Sequence, residues 1–440
     1  MKWFSLPETA TAPFCPSEVQ GSISISENES FVKRLGKFLG PGLLVAVGYM
    51  DPGNWATDIE AGSKYGYSLL FVVLFSSIAA IILQYLSVKV GLTLGKDLAL
   101  LCRERYPKPT RLGLWIFAEL AIVATDVAEV LGSALAFKLL LGVSLSVGIA
   151  ITVLDTFIIL GLKGKGFRQV EAIILGLVAT IGICFFIELY LLKPLWPEVA
   201  AGFLTGPVKL SGIEPWYLAI GILGATVMPH NLYLHSSIVQ TRRIGTTIEA
   251  KKSALRFVSL DTVGSLFLAF LVNAAILILA AAAFHGHGHT NVTEIDDAYR
   301  LLEPIAGGSF ASVVFGLALL AAGQSSTFTG TIAGQIIMEG FLNLKIPCWK
   351  RRLMTRSLAL IPAFVGIWIF GDHSTGKLLV ISQVVLSFQL PFVIFPLLRL
   401  TDDKKLMGIF VNSFLMRVVS WALFLIISGA NFWLIYQWLS

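Results

Sequence analysis

LLVAVGYMDPGNWATDIEAG, residues 43–62, is apolar enough to cross a bilayer, yet it carries Asp51-Pro52-Gly53-Asn54 at its centre. A proline inside a helix removes a backbone donor and breaks the run. In hydrocarbon the freed carbonyls have no water to turn to, so such a break survives only where it lines a cavity or a protein interior. LAIGILGATVMPHNLYLHSS, residues 218–237, repeats the pattern with Met228-Pro229-His230-Asn231 at its centre. Interrupted helices in corresponding positions of two halves point to inverted repeats, with a binding site near the bilayer midplane.

Working outward, apolar segments centre roughly on 41–60, 67–92, 112–140, 143–162, 170–192, 216–239, 257–284, 308–340, 354–371, 376–398 and 410–438. Each is long enough for a helix of roughly 20 spanning residues, which predicts about eleven helices. With the first and sixth equivalent, each repeat holds five helices, an odd number, so the second repeat is inverted. The eleventh helix is an appendage. The expected class is an all-α polytopic membrane protein with helices 1 and 6 broken at the midplane. One transmembrane domain covers 36–440, with repeat one about 38–195, repeat two about 212–400 and the extra helix about 408–438.

Composition agrees. Of 440 residues, 56% are hydrophobic and 14% charged, and the mean hydropathy is +0.79, where soluble chains carry about 25% charged residues. This excludes a disordered chain and a disulfide-stapled secreted domain, and argues against a soluble enzyme. The net charge of +6 invites a nucleic-acid reading, but the cations lie in short loops, the pattern of a membrane protein. Lys96, Arg103, Arg105, Lys108 and Arg111 follow the second helix, and Arg242, Arg243, Lys251, Lys252 and Arg256 the sixth. Similar basic loops follow the fourth, eighth and tenth. The positive-inside rule then places the N-terminus in the cytosol and, with eleven helices, the C-terminus outside. Residues 1–35 read as a disordered cytosolic tail, polar and without a signal-peptide core. Cys15, Cys102, Cys184 and Cys348 have neither metal spacing nor a disulfide rhythm. No P-loop, dinucleotide motif or catalytic triad is evident, so the chain is expected not to be an enzyme, and its energy to come from an ion gradient.

Asp51 is a carboxylate at midplane depth, where ionisable groups are costly and usually functional; the bland alternative is a structural hydrogen-bond acceptor. Asn54 adds a neutral oxygen, and unwinding around Gly48 and Ala225 frees backbone carbonyls as further ligands. Met228 immediately precedes the second breaking proline. A methionine on an apolar helix is ordinarily packing, but a thioether beside a carboxylate and an amide suits softer transition ions. Ca²⁺ and Mg²⁺ prefer hard oxygen ligands. The mixed set favours Mn²⁺, Fe²⁺ or similar ions.

The DPGN and MPHN segments, with their flanks AVGYMDPGNWATDIEAGSKYGYSLL and GATVMPHNLYLHSSIVQ, resemble the signature motifs of the natural resistance-associated macrophage protein (NRAMP) family. ATDVAEVLGSA and ISQVVLSFQLPF extend the resemblance, which runs from about residue 36 to the end. It implies a LeuT-like inverted-repeat fold and proton-coupled uptake of divalent transition metals, most similar to the bacterial manganese-uptake branch. The family's metal ligands fall on Asp51, Asn54, Met228 and the Ala225 carbonyl, joined in particular conformations by the Gly48 carbonyl and Gln383.

Proton coupling needs titratable groups connected to the metal site. Asp51 can exchange a proton for the metal, since a bound cation depresses a carboxylate pKa. Asp126 and Glu129, three apart, share one helix face; they read as a proton relay or as a buried salt bridge. The resemblance implies a relay paired with arginines of the ninth helix, Arg356 first and Arg352 next. His230 reads equally as a gate or proton-linked residue and as a satisfied core histidine, and His235 as structural. His285, His287 and His289 can be imagined as a metal-capture loop, but a solvated loop is the preferred reading. The expected partners are Mn²⁺, Fe²⁺, Co²⁺ or Cd²⁺, protons and the bilayer of the plasma or inner membrane. No prosthetic group, nucleic acid or obligatory protein partner is expected. The competing functions are a metal sensor that binds without transporting, and a same-fold symporter for another substrate.

Overall fold

The structure is a computed structural model that describes residues 20–26, 29–152, 154, 167–204, 212–305, 308–344, 348–371 and 374–439. Its described residues are almost wholly helical. In chain order the helices begin with α1 (Phe31–Phe38), α2 (Pro41–Gly48), α3 (Pro52–Tyr65), α4 (Leu70–Leu94), α5 (Leu98–Arg105), α6 (Lys108–Leu141), α7 (Leu145–Thr152) and α8 (Phe167–Leu192). The linking helix α9 (Trp196–Leu204) leads to α10 (Glu214–Val227), α11 (Pro229–Ile238), α12 (Ile248–Ala283), α13 (Ile295–Ile305) and α14 (Ser309–Leu342). Then come α15 (Cys348–Phe370), α16 (Thr375–Thr401), the short α17 (Lys404–Met407) and α18 (Phe414–Leu439).

Every apolar segment expected from the sequence carries helix here, although only α7 of the fourth lies among the described residues. Seven described helical stretches are individually long and apolar enough to cross a membrane. The two broken helices are α2–α3 and α10–α11, each split immediately before a proline. Each is followed by four further apolar helical segments, the five-plus-five order expected.

The broken helices lie at the centre of the bundle. α3 packs on α12, and α10 on α16, while α6 runs along α14 and α16. Their residues are buried on nearly all sides: every residue of α11, and all but Leu43 of α2, is buried. Helices that are apolar all round, such as α2 and α4, can exist only inside a bundle or in lipid. By contrast, α18 turns Leu425, Phe432 and Tyr436 outward, which suits a peripheral helix against acyl chains.

The expectation of an unstructured tail through residue 35 needs correction. Ile23–Ser24 forms a two-residue parallel bridge with Arg242–Arg243, and α1 begins at Phe31. Local hydrophobic content did not reveal this, because the bridge depends on a partner more than 200 residues away. Phe31 and Phe38 pack against Phe257 of α12, and Arg34 sits over the same ring. The start of α2 is pinned by Asp261, whose carboxylate accepts from Gly40 N (3.2 Å) and Gly42 N (2.6 Å).

Candidate metal site

Both breaks follow from one rule of helix geometry. A helical carbonyl accepts from the N–H four residues on, and proline has none. Pro52 therefore leaves the Gly48 carbonyl without its helical donor, and Pro229 does the same to Ala225. At the first break, Tyr49 N and Met50 N fold back to Ala46 O (3.0 Å) and Val47 O (3.1 Å), closing a tight last turn of α2. Asp51 then caps α3, its Oδ1 accepting from Asn54 N at 2.8 Å. At the second break Met228 adopts φ 32°, a left-handed conformation that costs a non-glycine residue about 1–3 kcal/mol. Such strain persists only where the surroundings over-determine it.

Asn54 joins the two breaks. Its Nδ2 donates to Asp51 Oδ1 (2.8 Å) and to Ala225 O (3.1 Å). Its Oδ1 accepts from Asn273 Nδ2 of α12 (3.2 Å), which also donates to Tyr49 O (2.8 Å). Asn231, on α11, is placed similarly: its Nδ2 donates to Met228 Sδ (3.6 Å) and to Val45 O of α2 (3.5 Å). In each half, an amide NH₂ three residues past the start of the break bonds the break's own side chain and a carbonyl of the other broken helix. The second Asp51 oxygen, Oδ2, is buried with no hydrogen-bond partner.

Gln383 of α16 meets both breaks. Its side chain lies against Gly53, where a Cβ would overlap the amide, and its carbonyl lies against Gly224 in the same way. Its Nε2 donates to Ser382 Oγ (2.9 Å), while Oε1 is buried without a partner. Asp51, Asn54, Ala225, Met228 and Gln383 are each at most 1% exposed, so the site is closed to both faces of the bundle.

Of the expected ligands, Asp51, Asn54 and the Ala225 carbonyl meet directly, while Gln383 lies against Gly53 and Gly224 and the Met228 sulfur accepts from Asn231; their chemistry fits a cation. An NH₂ group lies between a carboxylate oxygen and a carbonyl oxygen, the place a positive charge would take. Oxygen, amide and thioether donors are gathered without a histidine–cysteine cluster; among the described residues no group of three His, Cys, Asp or Glu could hold a metal. This donor set is hard–soft mixed, as transition ions such as Mn²⁺ and Fe²⁺ tolerate and alkaline earths do not favour.

Asp126 and Glu129 are buried on α6, with Glu129 seated against Gly330 of α14. The side chains of Arg352 and Arg356 lie outside the described residues, so the arginine partner stays an expectation. His230 faces α6, its Nδ1 lying 3.3 Å from Thr125 Oγ1, next to Asp126. His235 is part of a chain that the sequence reading missed: its Nδ1 lies 3.0 Å from Gln84 Oε1, and Gln84 Nε2 donates to Tyr49 OH (2.7 Å). Tyr49 OH reaches Val227 O at 3.5 Å, so this chain also spans both breaks. Asn273 and Asp58 were missed as well. Asp58 lies seven residues beyond Asp51 on the same face of α3, is 1% exposed, and neither carboxylate oxygen has a hydrogen-bond partner. A lone polar residue within an apolar run is the signal that could have found Gln84 and Asn273.

Two rings of the histidine tract meet backbone. His285 Nδ1 lies 2.9 Å from Ser63 O and His287 Nδ1 2.9 Å from Ala283 O. Both contacts are with backbone carbonyls. Cys102 and Cys184 are free and buried.

Comparison with known proteins adds independent findings. Residues 42–437 match the family model described as natural resistance-associated macrophage protein-like. A divalent metal cation transporter MntH of Ralstonia nicotianae is 64% identical, covering 98% of this chain and 98% of that protein. A divalent metal cation transporter MntH 1 of Pseudomonas aeruginosa is 62% identical, covering 99% of each. The solved manganese transporter of Eremococcus coleocola superposes with a TM-score of 0.88 at 39% identity, covering 95% of this chain and 90% of that one. Mhp1, a nucleobase-cation-symport-1 family transporter, superposes with a TM-score of 0.59 at 16% identity over 91% of this chain and 93% of its own. That likeness concerns the fold alone.

Proposed function

The chain belongs to the natural resistance-associated macrophage protein family, and from that premise we propose that it imports divalent transition-metal ions together with protons. It is a multi-pass membrane transporter of divalent metal cations, not an enzyme. The finer reading is a symporter for Mn²⁺ first, and for Fe²⁺, Co²⁺ and Cd²⁺, working by alternating access in the plasma or inner membrane. The N-terminus lies in the cytosol and the C-terminus outside. One observation carries it: Asn54 Nδ2 occupies a cation's place between Asp51 Oδ1 and Ala225 O, at the junction of two broken helices.

The chain's own residues supply the parts of a cycle. Asp51 and Asn54 on α3, Ala225 and Met228 on the second break, and Gln383 on α16 hold the ion as oxygen and sulfur donors, with the Gly48 carbonyl available in other conformations. For the ion to bind, the Asn54 amide must turn its oxygen inward. The metal's positive charge would favour the ionised carboxylate and displace the proton from Asp51, and His230, Thr125, Asp126 and Glu129 offer that proton a route from the site along α6. Arg356 or Arg352 is the proposed partner of those acids. Rocking of one helical bundle against the other then opens each face in turn.

Mn²⁺ uptake into proteoliposomes, with and without an inward proton gradient and with excess Mg²⁺ and Ca²⁺, tests this reading. Gradient-stimulated uptake that resists both competitors is expected. Uptake indifferent to the gradient would remove the proton from the cycle, and saturable binding without uptake would turn the reading to a sensor.

A further inference from the structure

Residues 292–294, between α12 and α13, tie together the ends of the two helices that carry site ligands. Ser63 Oγ, in the last turn of α3, donates to Val292 O at 3.0 Å. Two residues on, Glu294 Oε2 accepts from Gly376 N in the first turn of α16 at 2.7 Å, and the Lys377 amide also faces it. Only glycine fits at 376, because a Cβ there would overlap the Thr293 carbonyl. His285 closes the same end from α12, through its contact with Ser63 O. Two helical turns further into α16 stands Gln383, whose side chain lies against Gly53 of α3. Holding these two helix ends together therefore keeps Gln383 over the site.

We propose that residues 292–294 form a latch that seals the outer face over the metal site, with Glu294 as the positioning residue that makes the latch respond to protons. Glu294 is 7% exposed and has acidic neighbours on the elements packed around it, Asp297 of α13 and Glu60 of α3. Asp372 and His373, just ahead of α16, lie outside the described residues. Burial, aided by those two carboxylates, pushes the Glu294 carboxyl up from about 4.5 to about 7, against the opposing pull of the Gly376 and Lys377 amides.

The direction of the effect follows from linkage. A Glu294 freed into water by opening returns towards its ordinary value, so the closed latch binds the proton more tightly than the open one. Falling pH closes the latch. Rising pH, passing through about 7, ionises a buried carboxyl among other acids and favours release. A proton arriving from outside thus favours closure behind an incoming ion. The idea rests on the alternating-access reading, in which sealing this face is a step of the cycle.

Hydrogen exchange of the full chain in lipid nanodiscs tests it, at pH values about one unit either side of 7 and after correction for the intrinsic rate. In the wild type, the segment 374–380 should lose protection at the higher pH. Glu294→Gln, fixed in the uncharged form, should stay protected at both, and Glu294→Ala, lacking the acceptor, should be unprotected at both. Mn²⁺ counterflow without a pH gradient should depend on pH less steeply in Glu294→Gln than in the wild type, the remaining dependence belonging to Asp51 and the α6 acids. Wild-type protection that ignores pH, or a Glu294→Gln protein that follows the wild-type profile, would overturn the latch. Should Glu294→Gln fail to fold, Ser63→Ala unties the α3 end alone and should lower protection of residues 290–294; unchanged protection would again overturn it. A wild type that moves no Mn²⁺ under any condition would sink the transport reading, while the exchange data still decide the latch.

Discussion

The side-chain amide of Asn54, on the first broken helix, donates to the carbonyl of Ala225, on the second, at 3.1 Å. Ala225 is the carbonyl that Pro229 deprives of its helical donor, so the bond repairs a defect that the sequence itself creates. A buried carbonyl left unpaired would cost about 1–3 kcal/mol. The same amide holds Asp51 Oδ1. A metal ion that takes its place needs no helix unwound, because both oxygens are already turned to one point.

Asp51→Asn removes the charge and keeps the shape. It should abolish Mn²⁺ binding and uptake while the protein still purifies as a folded monodisperse species. Titration calorimetry together with uptake checks this; near-normal uptake would overturn the site assignment.

Met228→Ala deletes the soft donor of the second break. Mn²⁺ uptake should persist in part, while discrimination against Ca²⁺ and Mg²⁺ falls by roughly tenfold, about 1.4 kcal/mol. A competition assay with unchanged selectivity would take Met228 out of the site.

Gly224→Ala puts a methyl group against the Gln383 carbonyl and Ser387, where backbone cannot give way. Overpacking of this kind costs about 1–3 kcal/mol, and it separates α10 from α16, so both thermal stability and uptake should fall. Gly264→Ala in α12 meets nothing within 4 Å and should be neutral or slightly stabilising, as Ala is the better helix former by about 1 kcal/mol. Equal effects of the two changes would contradict the packing described here.

Arg242→Ala breaks a buried ion pair, since Arg242 Nη2 lies 2.8 Å from Glu171 Oε1 with side chains 0% and 5% exposed. Removing one partner of such a pair costs about 3–5 kcal/mol. Arg242 also donates to Lys37 O and Leu39 O, so the loss should loosen α1 and the start of α2. Thermal unfolding in detergent, with limited proteolysis of the N-terminal segment, checks both effects.

Alanine at His287 and His289 together should leave the KM for Mn²⁺ unchanged, because the His287 ring already bonds a backbone carbonyl and neither belongs to the latch. A KM raised several-fold at unchanged kcat would restore the capture-loop reading.

Much of this was legible in the chain because the decisive signals are local. Pro52 and Pro229 announce the breaks by themselves, and their positions identify Gly48 and Ala225 as the orphaned carbonyls. The apolar runs give the helices directly, since a bilayer demands length and composition rather than a particular partner. What the sequence hid are pairings between distant segments. Asn273 is one asparagine in an apolar stretch until α12 is laid against α3, and Gln84 needs both Tyr49 and His235 beside it to mean anything. The bridge of Ile23–Ser24 to Arg242–Arg243 was invisible for the same reason, being two residues long with its partner far along the chain.

The central claim is that donors from both breaks converge on one ion, with Met228 among them. X-ray absorption at the manganese edge of the Mn²⁺-loaded protein tests it most directly. The account predicts one sulfur in a shell otherwise of oxygens, lost in Met228→Ala. A wild-type shell made of oxygen alone would contradict it.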